Sequence, residues 1–144
     1  MAQRTVREMI ERDWLVSAGP GATVRAAAEV MAEGRCGSVL VVEHGRLLGI
    51  FTERDLLNRI AAAGKDLDRT HLAEVMTKDP DTIGPDEPVA EAIRRMDEFS
   101  YRYLPVLDGG RVIGVISTRH LPFSEVVAMA GELEQRHRLA ERML

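Results

Sequence analysis

Residues 24–56, VRAAAEVMAEGRCGSVLVVEHGRLLGIFTERDL, lie over residues 89–121, VAEAIRRMDEFSYRYLPVLDGGRVIGVISTRHL, without a gap when the chain is shifted by 65 positions. Identities fall at Val24/Val89, Ala27/Ala92, Met31/Met96, Val41/Val106, Gly45/Gly110, Arg46/Arg111, Gly49/Gly114, Arg54/Arg119 and Leu56/Leu121. Between them apolar residues mostly meet apolar ones, as with Leu47-Leu48 over Val112-Ile113 and Ile50-Phe51 over Val115-Ile116. Chance supplies a shared apolar rhythm between two α/β segments, but rarely places the glycines and the arginine after the turn in register as well. The chain carries a tandem duplication, and a repeat of this length is one supersecondary unit that buries its apolar face against its neighbour.

Each copy reads in the same order. Val24, Ala27, Ala28 and Met31 have helical spacing, with Gly34 placed to cap the helix. Val89, Ala92, Ile93 and Met96 repeat the pattern after Pro85-Asp86-Glu87-Pro88, a turn that suits entry into a helix. Apolar strands follow at Ser38–Val42 and Tyr103–Leu107, then the hairpin turns Glu43-His44-Gly45 and Asp108-Gly109-Gly110. Second strands over Arg46–Phe51 and Arg111–Ile116 end at Thr52 and Ser117, whose hydroxyls suit the cap of a following helix. A short strand near Trp14–Ser17 or Asp81–Ile83 precedes each copy. The predicted class is therefore α/β (α+β), two tandem β-α-β-β-α repeats.

One such repeat, a small sheet with helices on one face, does not bury its apolar surface alone at ~60 residues. Two copies are expected to pack face to face about a pseudo-two-fold axis, with equivalent loops meeting in symmetric clefts. The expected division is 5–63 for the first repeat, 64–73 for a polar surface linker, 74–125 for the second repeat and 126–144 for a C-terminal helix.

Composition narrows the function classes. The 144-residue chain is 45% hydrophobic and 29% charged, ordinary for one soluble module, and its 4% aromatic content leaves the core to aliphatic residues. A net charge of −4 and a pI near 5.6 argue against nucleic acid as a partner. Cys36 is the single cysteine, so no intramolecular disulfide or CxxC zinc pair exists, and it reads as a small residue at a helix end. No apolar run approaches the ~18–20 residues of a membrane span. Met1-Ala2-Gln3-Arg4 opens no apolar signal region, so a cytoplasmic location with no membrane partner is expected. No GxSxG, HExxH or glycine-rich phosphate loop is present. His44, His71 and His137 lack metal-ligand spacing. The chain is not expected to be an enzyme or to hold a metal.

Gly49-Ile50-Phe51-Thr52-Glu53-Arg54-Asp55-Leu56 and Tyr103-Leu104-Pro105-Val106-Leu107-Asp108 resemble the two signatures of cystathionine-β-synthase (CBS) domains. Glu74-Val75-Met76-Thr77-Lys78-Asp79-Pro80 resembles the family's entry into a second domain, and Thr5-Val6-Arg7-Glu8-Met9-Ile10 is a weaker counterpart for the first. The resemblance spans about residues 5–125 and implies a CBS-domain pair, or Bateman module. It also implies two clefts and a regulatory role through adenosyl ligands such as AMP, ADP, ATP, S-adenosylmethionine or NAD(H), with no cofactor required. The regulated protein is then expected to be a separate, unknown chain, and the family's disc-shaped pairs imply a homodimer.

An adenosine ligand asks for a carboxylate to accept its ribose diol, for cations and N–H groups around its phosphates, and for an apolar slot for adenine. The resemblance puts Asp55 at the ribose position, Thr52 as its hydroxyl partner and Arg54 near the phosphate. It completes the cleft from the other repeat with Thr77, Pro80, Thr82, Tyr103 and Pro105, and Arg102 is a further phosphate candidate. Plainer readings stand beside these. Thr52 with Asp55 is also a good helix N-terminus, Arg54 and Arg102 suit solvated or ion-paired surface positions, and Tyr103 either stacks on adenine or plugs the slot.

The second cleft departs from the pattern. Its Ser117, Arg119 and His120 put histidine where the ribose carboxylate belongs, and its matching strand has Leu40 in place of Pro105. Histidine cannot offer two acceptors to a diol, so this cleft is expected to be empty or to hold something else. After it, Val126, Met129, Ala130, Leu133, His137, Ala140 and Leu144 form one stripe of a helical stretch, a cover for its own domain or a dimer surface. The rival to a nucleotide sensor is an interaction homodimer whose clefts are unused.

Overall fold

The structure, a computed structural model, describes residues 4–10 and 15–118. Trp14, Arg119, His120 and the C-terminal stripe lie outside the described residues. The elements are α1 (Val6–Met9), β1 (Ser17–Ala18), α2 (Val24–Gly34), β2 (Ser38–Glu43), β3 (Arg46–Thr52), α3 (Glu53–Asp55, continuing as a π-helix over Leu56–Ala61), α4 (Leu72–Val75), β4 (Thr77–Lys78), α5 (Val89–Phe99), β5 (Tyr103–Asp108) and β6 (Arg111–Ser117). The fold is the expected tandem α/β pair.

The duplication is visible in the register. β2 pairs antiparallel with β3 from Ser38↔Thr52 to Glu43↔Arg46, and β5 pairs with β6 from Tyr103↔Ser117 to Asp108↔Arg111. Every partner in one hairpin sits 65 residues from its counterpart in the other, including the bulge after Val41 and after Val106. The turn residues His44 and Gly45 have φ of 52° and 77°, and Gly109 and Gly110 have 58° and 84°, the doubly positive pattern of a two-residue hairpin turn. β1 runs parallel to β2, and the isolated parallel bridge Ile83↔Val106 is its equivalent in the second repeat.

Four details differ from the sequence reading, the first being that Ile83 makes a single bridge where a strand over Asp81–Ile83 is expected. Gly34 ends α2 as a helical residue, and Arg35 takes the left-handed cap at φ 50°, as Ser100 does after α5 at φ 60°. The helix after Thr52 widens into a π-helix from Leu56, a coil in which Ile60 faces the core. The first sheet gains a fourth strand, because Thr77–Lys78 runs antiparallel to β3 against Gly49 and Ile50. That approach explains the strand glycine. A Cβ on Gly49 would stand 2.7 Å from the Thr77 carbonyl oxygen, and one on the equivalent Gly114 would stand 3.1 Å from Ile10 Cδ1.

Alternation along the strands sorts the apolar residues into three clusters. Val39, Val41 and Phe51 face the first repeat's helices, and Leu104, Val106 and Ile116 face the second's. Leu40, Ile50 and Val115 turn the other way and meet between the repeats, with Tyr103 and Val112 packed against them. Strands buried on both faces account for the near-continuous apolar runs in the sequence. Cys36 is half-buried against the first cluster.

The entry segments cross over. α1 brings Val6 and Met9 into the second repeat's core, while α4 brings Leu72 and Val75 into the first repeat's core. Backbone bonds fix both crossings. Val6 N–H donates to Glu87 O at 2.9 Å and Val89 N–H to Arg4 O at 2.8 Å, and correspondingly Leu72 N–H donates to Ala22 O at 2.9 Å and Val24 N–H to Thr70 O at 2.9 Å. The stretch between Ala62 and Arg69 is exposed apart from Leu67, but Thr70 and Leu72 are buried in this crossing.

Candidate functional site

β3 delivers Thr52 to the mouth of a cleft between the repeats. Thr52 is extended, at φ −117° and ψ 167°, and its hydroxyl accepts the Asp55 N–H at 3.3 Å. The Asp55 carboxylate returns the contact, its Oδ2 accepting the Thr52 N–H at 2.9 Å and the Thr52 hydroxyl at 3.1 Å. This reciprocal cap satisfies the orphan donors of the helix start. The Asp55 side chain keeps 15% of its surface exposed, and its Oδ1 faces the Arg59 guanidinium, with Nε 3.5 Å away.

The cleft has a volume of about 360 Å³. Thr52, Arg54 and Asp55 line it after β3, joined by Thr77 and Pro80 at β4 and by Arg102 and Tyr103 at the start of β5. Two other residues singled out from the sequence stand back from it. Pro105 is fully buried on β5. Thr82 is half-buried, and its carbonyl accepts the Arg95 Nη1 hydrogen at 2.8 Å. In the second repeat Ser117 is fully buried, and Arg119 and His120 lie outside the described residues.

Tyr103 packs its ring into the inter-repeat cluster and donates its hydroxyl to Glu53 Oε1 at 3.4 Å. It therefore occupies the seam between the repeats at one end of the cleft. Glu53 carries no local signal in the sequence, because its partner Tyr103 lies 50 positions away. Lys78, Asp79, Asp81 and Tyr101 also line the cleft without having been singled out. Their signal was the charged stretch Lys78-Asp79-Pro80-Asp81, a tight turn around the named Pro80, in which Asp79 adopts φ 47°.

Charge in the cleft is mixed. Arg54, Lys78 and Arg102 are exposed and have no carboxylate partner among the described residues. The Asp81 carboxylate pushes the Tyr101 phenol above its usual range, through hydrogen bonding above all, then burial and the carboxylate's charge. The site thus offers hydroxyl acceptors at one end, cations that are not ion-paired, and an aliphatic wall at Ile50. No cluster of metal-ligating side chains occurs among the described residues.

A family model described as the CBS domain matches this chain twice, over residues 6–62 and 72–121. The chain belongs to the CBS domain family. The CBS pair is 38% identical over 104 residues to the meiotically up-regulated gene 70 protein of Schizosaccharomyces pombe, covering 72% of this chain and 14% of that one. It is 29% identical over 112 residues to the CBS domain-containing protein YhcV of Bacillus subtilis, covering 78% of this chain and 79% of that one. A solved CBS domain protein from Pyrobaculum aerophilum, complexed with AMP, superposes with a TM-score of 0.79 at 28% identity, covering 89% of this chain and 99% of that one. The chain spans only 14% of the fission-yeast relative and 21% to 26% of the similar Arabidopsis thaliana CBS proteins. Among the described residues no helix is long and apolar enough to cross a membrane.

Proposed function

We propose that this CBS pair is a regulatory module, not a catalyst, that binds one adenine nucleotide in the Asp55 cleft and passes its occupancy to a partner protein. The observation that carries the reading is the meeting of Asp55 with Arg54, Lys78 and Arg102 around one cleft, built from both repeats. A carboxylate oxygen that is not hydrogen-bonded within the protein accepts ribose hydroxyls, and the cations accept a phosphate. The AMP complex of the Pyrobaculum aerophilum protein supports the same ligand class.

Size and charge favour the monophosphate. About 360 Å³ is near the small end of ligand sites. The three cations share the cleft with the carboxylates of Glu53, Asp55, Asp79 and Asp81, which disfavours a triphosphate. AMP is therefore expected to bind more tightly than ADP, ATP, NAD(H) or S-adenosylmethionine. Thermal-shift titration with these five tests the ranking, and equal or absent responses contradict it.

One observation favours the rival, an interaction homodimer with unused clefts. Asp55 is already engaged by the Thr52 cap and faces Arg59, so it has a structural role without any ligand. Asp55→Asn separates the two readings, because the amide keeps an acceptor for the cap but loses the charge that draws the diol. A binding site predicts AMP affinity reduced about tenfold or more, the range of one charge-assisted hydrogen bond. The rival predicts no nucleotide response in either protein.

A further inference from the structure

Arg59 stands behind the cleft with a use that capping does not account for. It lies in the π-helical coil Leu56–Ala61, a local widening that places its guanidinium between two parts of the molecule. Its Nη1 donates to the carbonyl oxygens of Val75 at 2.8 Å and Met76 at 3.2 Å, where α4 ends. Carbonyls at a helix end lack intrahelical partners, and an arginine fork supplies them. The next two residues are β4, which pairs with β3 and lines the cleft. On its other side Arg59 Nε lies 3.5 Å from Asp55 Oδ1, close enough for charge attraction but longer than a good hydrogen bond. Asp55 Oδ2 is taken by Thr52, so Oδ1 is the oxygen left facing both Arg59 and the cleft.

The sequence carries an independent mark of the pairing. Shifting by 65 residues takes Asp55 to His120 and Arg59 to Ser124. Carboxylate and guanidinium are absent together from the second repeat, while Arg54 and Leu56 on the same turn are repeated as Arg119 and Leu121.

We propose that Arg59 is a positioning residue that shares itself between Asp55 and the end of α4, and so sets how firmly β4 is held according to the state of the Asp55 carboxylate. The ligand-dependent half of this rests on the nucleotide reading of the cleft. Ribose hydroxyls donating to Oδ1 spread its charge and weaken its pull on Arg59. The fork then stays with Val75 and Met76, and β4 tightens against β3.

Hydrogen exchange at the Asp79 amide, which donates to Leu48 O at 3.2 Å just after β4, reads this directly. In nucleotide-free protein Arg59→Met is expected to speed that exchange about five- to tenfold, the effect of losing a shared charge-assisted fork. Asp55→Asn is expected to slow it about twofold or more in the wild-type background and to leave it unchanged with Arg59→Met present, a non-additive cycle. Arg59→Lys, which keeps the charge without the fork, is expected to fall between and guards against a folding defect in the methionine variant. Added AMP is expected to slow Asp79 exchange more in the wild type than in Arg59→Met, where only its direct cover of the cleft-lining Asp79 remains. Additive substitutions, or an AMP effect of equal size in Arg59→Met, overturn the proposal. If AMP does not bind the wild type, the nucleotide reading fails, and the nucleotide-free cycle still decides the role of Arg59.

Discussion

Gly37 has no side chain because another residue occupies the place of one. A Cβ there would lie 1.9 Å from the Tyr103 hydroxyl and 2.9 Å from Glu53 Oε1. Tyr103 cannot simply swing away, since its ring is packed in the seam between the repeats. Gly37→Ala is expected to destabilise the protein by about 1–3 kcal/mol, the cost of overpacking, with Tyr103→Phe recovering part of it in the double variant. Denaturant unfolding of the three proteins checks this, and a neutral Gly37→Ala contradicts it. The glycine was legible as a residue but not as a contact, because its partner is 66 positions away and nothing local announces it. Thr52 and Asp55 were legible because a capping box is a local pattern. Arg59 was not, because its partners are carbonyls on another element.

At the scale of elements, α5 holds the Thr82 backbone, next to the cleft-lining Asp81, through Arg95 and Glu91. The Glu91 carboxylate takes hydrogen bonds from Arg94 and from Arg95, whose Nη1 also holds the Thr82 carbonyl at 2.8 Å. The Arg94 guanidinium above all, then Arg95, keeps the Glu91 carboxyl at about 2, against a usual 4.5 and despite the opposing effect of burial. A depressed folded value means the contribution is present in full above pH 4.5 and is lost as pH falls toward about 2. Glu91→Gln is therefore expected to be less stable than wild type at neutral pH and to lose less stability across that acid range. Urea unfolding at several pH values tests it, and parallel profiles for the two proteins would refute the assignment. The bounds of α2, α5 and the four hairpin strands follow from periodicity and match to within a residue, whereas the short entry strands near Trp14–Ser17 and Asp81–Ile83 do not. The π-helix and β4 do not either, because both are set by what packs against them, not by their own pattern.

At the scale of the whole molecule, the repeats are interlocked by the segments that enter them. Leu72 is fully buried in the first repeat's core although it leads into the second, and Val6 is fully buried in the second although it leads into the first. Neither core is complete from one contiguous stretch. Unfolding is expected to be a single cooperative transition. Leu72→Ala is expected to cost about 2–5 kcal/mol. Its exchange signature should appear first in β2 and β3, whereas Val6→Ala should loosen β5 and β6. A Leu72→Ala variant that loosens only the second repeat would contradict the crossing. The duplication predicted two faces packing together, but the exchange of segments lies in the connections, where the two copies resemble each other least.

The same asymmetry bears on the proposed function. The residues that build the fold are repeated, while Asp55 is replaced by His120 and Arg59 by Ser124. Isothermal titration of AMP into the wild type and Asp55→Ala tests the central claim most directly. One molecule of AMP bound per chain, with the heat abolished or shifted to much weaker binding in Asp55→Ala, is the predicted result. Two equivalent sites per chain, or a variant that binds as the wild type does, would contradict it.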